Sequence, residues 1–76
     1  MNISGIREHM KVVGADSQPV GIVDKVDGNR IKLTKDGPQA GGKHHFIPGD
    51  WVEEIESDEV SLRQNAQDVF KQWKTD

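Results

Sequence analysis

Apolar and polar residues alternate along the middle of this chain in a way that predicts β-strands. Between residues 19 and 27, Val20, Ile22 and Val26 share one side of an extended backbone. This period of two is typical of a strand with one buried face. Gly21 within the run indicates a bulge, a bend or the close approach of another backbone.

The alternation resumes after a short turn. Asp27-Gly28-Asn29 is typical of a β-hairpin, because glycine and asparagine both tolerate positive φ. Residues 30–35 then place Ile31 and Leu33 on the inner side of a second strand. The sequence therefore predicts an antiparallel pair over residues 19–35.

Shorter strands are predicted on both sides of this hairpin. Residues 3–10 fit either a helical turn or an extended lead-in. The segment 36–42 contains three glycines and a proline, so we expect an exposed, mobile loop. The remaining strands are predicted at 11–13, 43–48, 51–56 and 59–62, with turns at Asp16-Ser17, Gly49-Asp50 and Ser57-Asp58.

The period changes to that of a helix near the C-terminal end. Apolar residues recur at i, i+3, i+4 and i+7 from Ala66 to Trp73, which is the stripe of an amphipathic helix. Asn65 is a typical N-cap residue. We predict a helix over residues 66–74. At that length it is unstable alone, so it must dock on the strands, with Phe70 and Trp73 as anchors.

The predicted fold is mainly β, with five or six short strands and one C-terminal α-helix. The strands form either a small barrel or a curled antiparallel sheet beneath the helix. The dense apolar run from His44 to Val52, which contains Trp51, is expected at its centre. The 76 residues predict a single domain, 1–76, with a small core. Because there is no cysteine to form a disulfide, self-association is an expected source of additional stability.

Charge and hydropathy limit the classes of partner that this chain is expected to bind. The formal net charge is −3 and no basic stripe is present, so we expect no direct contact with nucleic acid. No apolar run approaches the roughly 20 residues that span a bilayer, and no leader sequence is visible, so we expect a cytoplasmic protein without a membrane partner. The acidic run 53–59 is interpreted as a solvated strand edge, or alternatively as a patch for a basic partner.

Histidine and carboxylate are the residue types from which a metal site could be built in this chain. Such groups suit zinc and similar ions, and the candidate ligands are His9, Asp24, His44, His45 and Asp50. Adjacent residues of a strand point to opposite faces, so His44 and His45 cannot hold one ion together. The competing interpretation has one histidine hydrogen-bonded at the mouth of a loop and the other solvated. In the same interpretation, Asp24 is paired with a turn, with Lys25 or with a histidine.

Catalytic motifs are not apparent. The sequence has no cysteine, no nucleophile elbow, no phosphate-binding glycine loop and no H-E-x-x-H motif. A chain of this size also has difficulty forming a deep pocket. We therefore predict a protein that is not an enzyme and that needs no cofactor.

Five segments together resemble a known family over nearly the whole chain. The segments are Ile6–Val12, Val20–Asp24, Arg30–Lys35, His44–Pro48 and Trp51-Val52. They resemble a small bacterial family catalogued as a domain of unknown function, which is similar in turn to the PRC-barrel domains. Those domains are named after the photosynthetic reaction-centre H subunit and are shared by a ribosome-maturation factor.

The resemblance implies a fold and no activity. In PRC-barrels a V-G-x-V strand and a later I-P strand belong to the barrel core, and they correspond here to Val20–Val23 and Ile47-Pro48. The chain departs from the pattern at Asp16-Ser17, where Asp-Gly is expected.

The leading functional hypothesis is a non-enzymatic interaction or assembly module that binds a protein partner or itself. The residues expected to make the contact are His44, His45, Phe70 and Trp73, since tryptophan is enriched at binding hot spots. One alternative is a small-ligand or metal-binding domain built on the histidine and aspartate candidates. Another is an adaptor associated with ribosomes or RNA processing through protein contacts.

Overall fold

A computed structural model describes residues 5–75 as one seven-stranded sheet and one α-helix. The strands are β1 (Lys11–Val13), β2 (Pro19–Asp27), β3 (Arg30–Leu33), β4 (His45–Pro48), β5 (Val52–Glu56), β6 (Glu59–Leu62) and β7 (Lys74–Thr75). A 3-10 turn, Gly49–Trp51, separates β4 from β5, and the helix α1, Ala66–Gln72, precedes β7. The sheet order is β5-β6-β1-β2-β3-β4-β7; β1 and β6 are parallel, and the other neighbours are antiparallel.

The sheet is open, with β5 and β7 at its edges, so the closed-barrel form of the prediction is wrong. The mainly β class and the C-terminal helix are confirmed. The sheet must nevertheless curl. β4 and β5 are five positions apart in the sheet, about 24 Å if it were flat. Three residues connect them, which reach at most about 14 Å.

The core lies within this curl and is closed by the helix. Every strand except β7 contributes to it. Its fully buried members include Val12, Val20, Val23, Ile31, Leu33, Ile47, Val52, Val60, Leu62 and Val69. Trp51, expected at the centre of the fold, is half-buried and packs against the core from its margin.

Two register shifts change which side of β2 is buried. The pairing with β1 shifts near the strand's start, and the pairing with β3 shifts between Val23 and Lys25. As a result Val23 is fully buried while Ile22 is only half-buried, and the simple alternation predicted for this strand is wrong. The expectation for Gly21 is confirmed, because a Cβ built on Gly37 of the following loop would lie 3.3 Å from the Gly21 Cα.

Most local predictions near the hairpin hold. β1, β2 and β6 have the predicted bounds, and Gly28 has a φ of 63° in the predicted hairpin turn. The predicted lead-in falls partly outside the described residues; from residue 5 onward it is a turn-rich segment with no strand or helix. The segment 36–42 is not wholly exposed, because Ala40 is buried.

The ends of the helix differ from the prediction. It stops at Gln72 because Lys74 and Thr75 pair with β4 as a seventh strand. Asn65 occupies the N-cap position but makes no side-chain capping bond. The acceptor at this end is instead Asp16, whose Oδ1 accepts a bond of 3.3 Å from the Ala66 N–H. α1 has only seven residues, and no helix in the described part of the chain has the length and apolar character needed to cross a membrane.

Ser17 is expected to be a stabilising site for glycine. Its φ of 65° lies in the left-handed region, which costs a residue with a Cβ roughly 1–2 kcal/mol. Glycine removes that cost but loses roughly 0.5–1 kcal/mol more conformational entropy on folding. We expect Ser17→Gly to raise the free energy of unfolding, measured in urea, by up to about 1 kcal/mol. Ser17→Ala, which keeps the strain, should give no gain; a loss in the glycine variant would contradict the prediction.

Candidate functional site

The two adjacent histidines both have structural partners. His44 is half-buried just before β4, and its Nδ1 donates a hydrogen bond of 2.8 Å to the backbone carbonyl of Leu33. This bond ties the end of the 36–42 loop to β3. The interpretation of one histidine hydrogen-bonded at a loop mouth is therefore confirmed for His44.

His45 is packed against the end of the helix rather than solvated, so that part of the interpretation is wrong. Its ring stacks on Trp73 with centroids 3.9 Å apart and an interplanar angle of 19°. The Trp73 ring also contacts Phe70, with centroids 4.9 Å apart. Three of the four residues predicted to bind a partner thus pack on each other. The His45 Nδ1 atom is buried, and no atom of residues 5–75 forms a hydrogen bond with it.

The remaining candidate metal ligands lie in separate places. His9 is exposed in a turn with a φ of 73°, and Asp50 is exposed in the 3-10 turn. Asp24 lies 3.8 Å from the Lys32 Nζ across β2 and β3, so it pairs with a lysine of the neighbouring strand rather than with Lys25. Among residues 5–75, no three histidine or acidic side chains come close enough to share a metal ion.

The acidic run 53–59 occupies the β5–β6 hairpin, at one edge of the sheet. Two of its carboxylates pair with arginines: Glu53 with Arg63 at 3.2 Å, and Asp58 with Arg7 at 3.1 Å. All four side chains are more than half exposed, so each pair contributes less than about 1 kcal/mol. This placement favours the interpretation as a solvated strand edge.

A groove that we call the aromatic groove lies between β4 and the end of the helix. It has a volume of about 160 Å³ and is lined by Arg30, Phe46, Pro48, Trp51, Gln72 and Lys74. Phe46 pairs with Lys32 and Lys74 in the sheet, one position away from the core residue Ile47. Because neighbouring residues of a strand face opposite sides, Phe46 lies on the face away from the core. It is nevertheless only 8% exposed, since the other groove residues cover it.

Positive charge borders the aromatic groove. The Arg30 guanidinium lies 4.2 Å from the centroid of the Phe46 ring, which is a cation–π contact, and it also pairs with Asp27 at 3.2 Å. Lys74 supplies a second cation, and none of the described lining residues carries a carboxylate. The groove therefore combines apolar walls with a cationic border.

This groove is not predictable from local sequence patterns. Its lining comes from β3, β4, the 3-10 turn, the helix and β7, and β7 itself was not predicted. One signal was available in the sequence. A strand that buries Ile47 must point Phe46 to the opposite side, where a large aromatic side chain needs a separate cover.

Asp36, on the loop after β3, has a lowered pKa. The Thr34 hydroxyl donates a hydrogen bond of 2.7 Å to Asp36 Oδ1, and this bond, helped by the backbone N–H of Asp36, lowers the pKa of the carboxyl. Because the folded pKa is lowered, the stabilisation is present above the ordinary pKa and is lost as pH falls through the lowered value. We expect Thr34→Val to raise the Asp36 pKa in an NMR titration; an unchanged midpoint would contradict this assignment.

Comparison with known proteins agrees with the resemblance to a small bacterial family. The family described as "Uncharacterized protein conserved in bacteria (DUF2171)" matches residues 6–70, which include every element from β1 to most of the helix. No curated protein sequence shows significant similarity to the chain. Because the match covers most of its length, the chain belongs to this bacterial family.

Proposed function

We propose that this protein is a non-enzymatic interaction module of the cytoplasm and that the aromatic groove is its contact surface for another protein. One observation carries the proposal: Phe46 and Trp51, two of the four aromatic residues, line a surface groove. In a small domain, aromatic side chains add most to the stability of the fold when they are buried in its core. Phe46 faces away from the core and Trp51 packs at its margin, so a partner seated in the groove would complete the burial of both rings.

The composition of the groove supports this use. Aromatic residues and arginine are enriched at the centres of protein interfaces, where they supply most of the binding energy. The groove contains both, with Arg30 held over the Phe46 ring. We prefer the groove to the predicted contact residues because His44 donates to a backbone carbonyl and because His45, Trp73 and Phe70 contact one another.

The alternative functions gain no comparable support. The five candidate metal ligands do not come together, and a role near the ribosome rests on likeness to a barrel family, which is a weak basis for function. We do propose a distant relationship to the PRC-barrel domains. Its support is that Val20, Val23 and Ile47, which belong to the two corresponding motifs, are fully buried in β2 and β4.

Photo-crosslinking in the source cells tests the proposed contact surface. A photoreactive amino acid replaces Gln72, which lines the groove, and in a matched variant replaces Gln67, an exposed position of the same helix outside it. We expect a discrete protein adduct from position 72 that is absent from position 67. An adduct with twice the mass of the chain would identify self-association, which sedimentation over a range of concentrations then measures. No adduct from either position, or the same adducts from both, would contradict the proposal.

A further inference from the structure

We infer that the aromatic groove recognises an acidic peptide segment, in which one apolar side chain enters the groove and neighbouring carboxylates face Lys32 and Lys74. This inference rests on the proposed function and adds the chemistry of the partner. It draws on the size of the groove, on the distribution of charge around it and on the shape of its walls.

The size of the groove suits a single side chain. Its volume of about 160 Å³ is well below the roughly 300–1,000 Å³ of sites that hold a cofactor or drug-sized ligand. Phe46, Pro48 and Trp51 supply the apolar contacts. An aliphatic or aromatic side chain carried by a larger molecule therefore fits the groove better than a free small molecule does.

Basic side chains border the groove although the whole chain is acidic: Lys74 and Arg30 line it, and Arg30 pairs with Asp27. Lys32 and Lys74 both pair with Phe46 in the sheet, so the three side chains lie on the same face, and Lys74 also lines the groove. Lys32 has only a loose pair with Asp24, at 3.8 Å, and no described residue forms an ion pair with Lys74. A carboxylate approaching this face therefore meets cations that are weakly neutralised. Complementary charge of this kind selects the partner and guides its approach.

The acidic edge strand β5 of a second copy is a poor match for this groove. Glu54 and Glu56 are the outward-facing residues of this part of β5, and no apolar side chain lies between them on that face. Ile55, which separates them in sequence, pairs with the buried Val60 on the core side. A second copy of the chain therefore offers carboxylates from this edge without an apolar side chain to fill the groove.

Single-stranded nucleic acid also suits a cationic, aromatic surface, but the shape of this groove disfavours it. Stacking of bases requires an open ring face. Phe46 is 8% exposed, and the Arg30 guanidinium covers its ring. The available surface therefore favours insertion of a side chain into the groove over stacking of a base.

Binding of designed peptides to the 76-residue chain tests the inference. The first probe is a labelled peptide with one central phenylalanine flanked by glutamates. Two matched probes carry glutamine in place of every glutamate, or alanine in place of the phenylalanine, and a single-stranded oligonucleotide is the fourth. Affinity is measured by fluorescence polarisation, and NMR chemical-shift changes locate the site. We expect the first peptide to bind most tightly, with shifts at Phe46, Trp51 and Lys74.

Two charge-neutralising variants separate groove contacts from general attraction. We expect Lys74→Gln to weaken binding of the acidic peptide by roughly two- to fivefold, the range of one exposed ion pair. Lys71→Gln removes an exposed cation of the helix, outside the groove, and it should leave affinity unchanged. Equal losses in the two variants would overturn the inference. Thermal melting confirms that both variants remain folded.

The outcomes distinguish failure of the inference from failure of the proposed function. If the neutral peptide binds the groove as tightly as the acidic one, the acidic chemistry is wrong and the interaction surface stands. If the alanine peptide binds equally well, or the oligonucleotide binds in place of the peptides, the inference is overturned. If no probe binds but crosslinks form at position 72, the inference alone fails. If crosslinks also fail to form, both fail.

Discussion

Alanine at Gly14 is expected to destabilise this domain by about 3 kcal/mol, the upper part of the usual range for overpacking. A Cβ at this position would clash with the backbone nitrogen of Ala66 and would lie 2.8 Å from Asp16 Oδ1. Backbone cannot move aside as the end of a flexible side chain can. Small domains have total stabilities near the lower end of about 5–15 kcal/mol, so the variant should be partly unfolded at moderate temperature.

The clash cannot be relieved without breaking other bonds. The Ala15 N–H donates to the carbonyl of Gln64 at 2.8 Å, and Asp16 accepts from the start of the helix. Separation of the two segments would therefore remove both contacts. Urea unfolding measures the effect. Gly5→Ala is the matched control, because a Cβ there would come no closer than 3.9 Å to the described residues beyond its chain neighbours, and its stability should match that of the wild type. A Gly14→Ala protein of unchanged stability would show that this turn does not pack on the helix.

Alanine at Trp73 is expected to lower the free energy of unfolding by about 2–3 kcal/mol. Replacing a fully buried tryptophan with alanine lowers the free energy of unfolding by about 3–5 kcal/mol. Trp73 is only half-buried, so a smaller loss is expected. The change removes the stack on His45 and the contact with Phe70, which hold the end of a seven-residue helix. A helix of that length depends on such docking. Hydrogen exchange of the helix amides should therefore accelerate along with the fall in stability.

The Trp73→Ala variant also decides whether Trp73 mainly packs against the fold or mainly contacts a partner. Trp73→Phe keeps an aromatic ring beside His45 and should cost less than about 1.5 kcal/mol. If Trp73→Ala retains wild-type stability but loses its crosslinked partner, then Trp73 is a contact residue, as the sequence predicted. If stability falls as expected, its main contribution is to packing between the helix and β4.

The locations of the strands and of the helix were predictable from the sequence because they depend on local patterns. The hairpin around Gly28 and the strands 11–13, 19–27 and 59–62 follow from alternation and turn residues. The helix followed from the apolar spacing that begins at Ala66. These features depend on neighbours within a few positions, which the sequence shows directly.

The contacts of individual side chains were harder to predict from the sequence, because the residues that form them are distant in the chain. Asp16 accepts from Ala66, fifty residues away, whereas the local pattern favoured Asn65 as the cap. The Trp73–His45 stack joins the end of the helix to β4. Neither contact has a signature in sequence spacing, so the roles predicted for these residues were incomplete.

By itself, the sequence determined a mainly β domain with a terminal helix, the position of its central hairpin and its bacterial family. Only the tertiary structure decided that the sheet stays open, that Val23 is buried in place of Ile22, and that Phe46 lies in a surface groove. The physical reason is that periodicity records which residues avoid water. The choice of the surface that covers each one depends on strand order, register shifts and side-chain shape, which arise when distant segments meet.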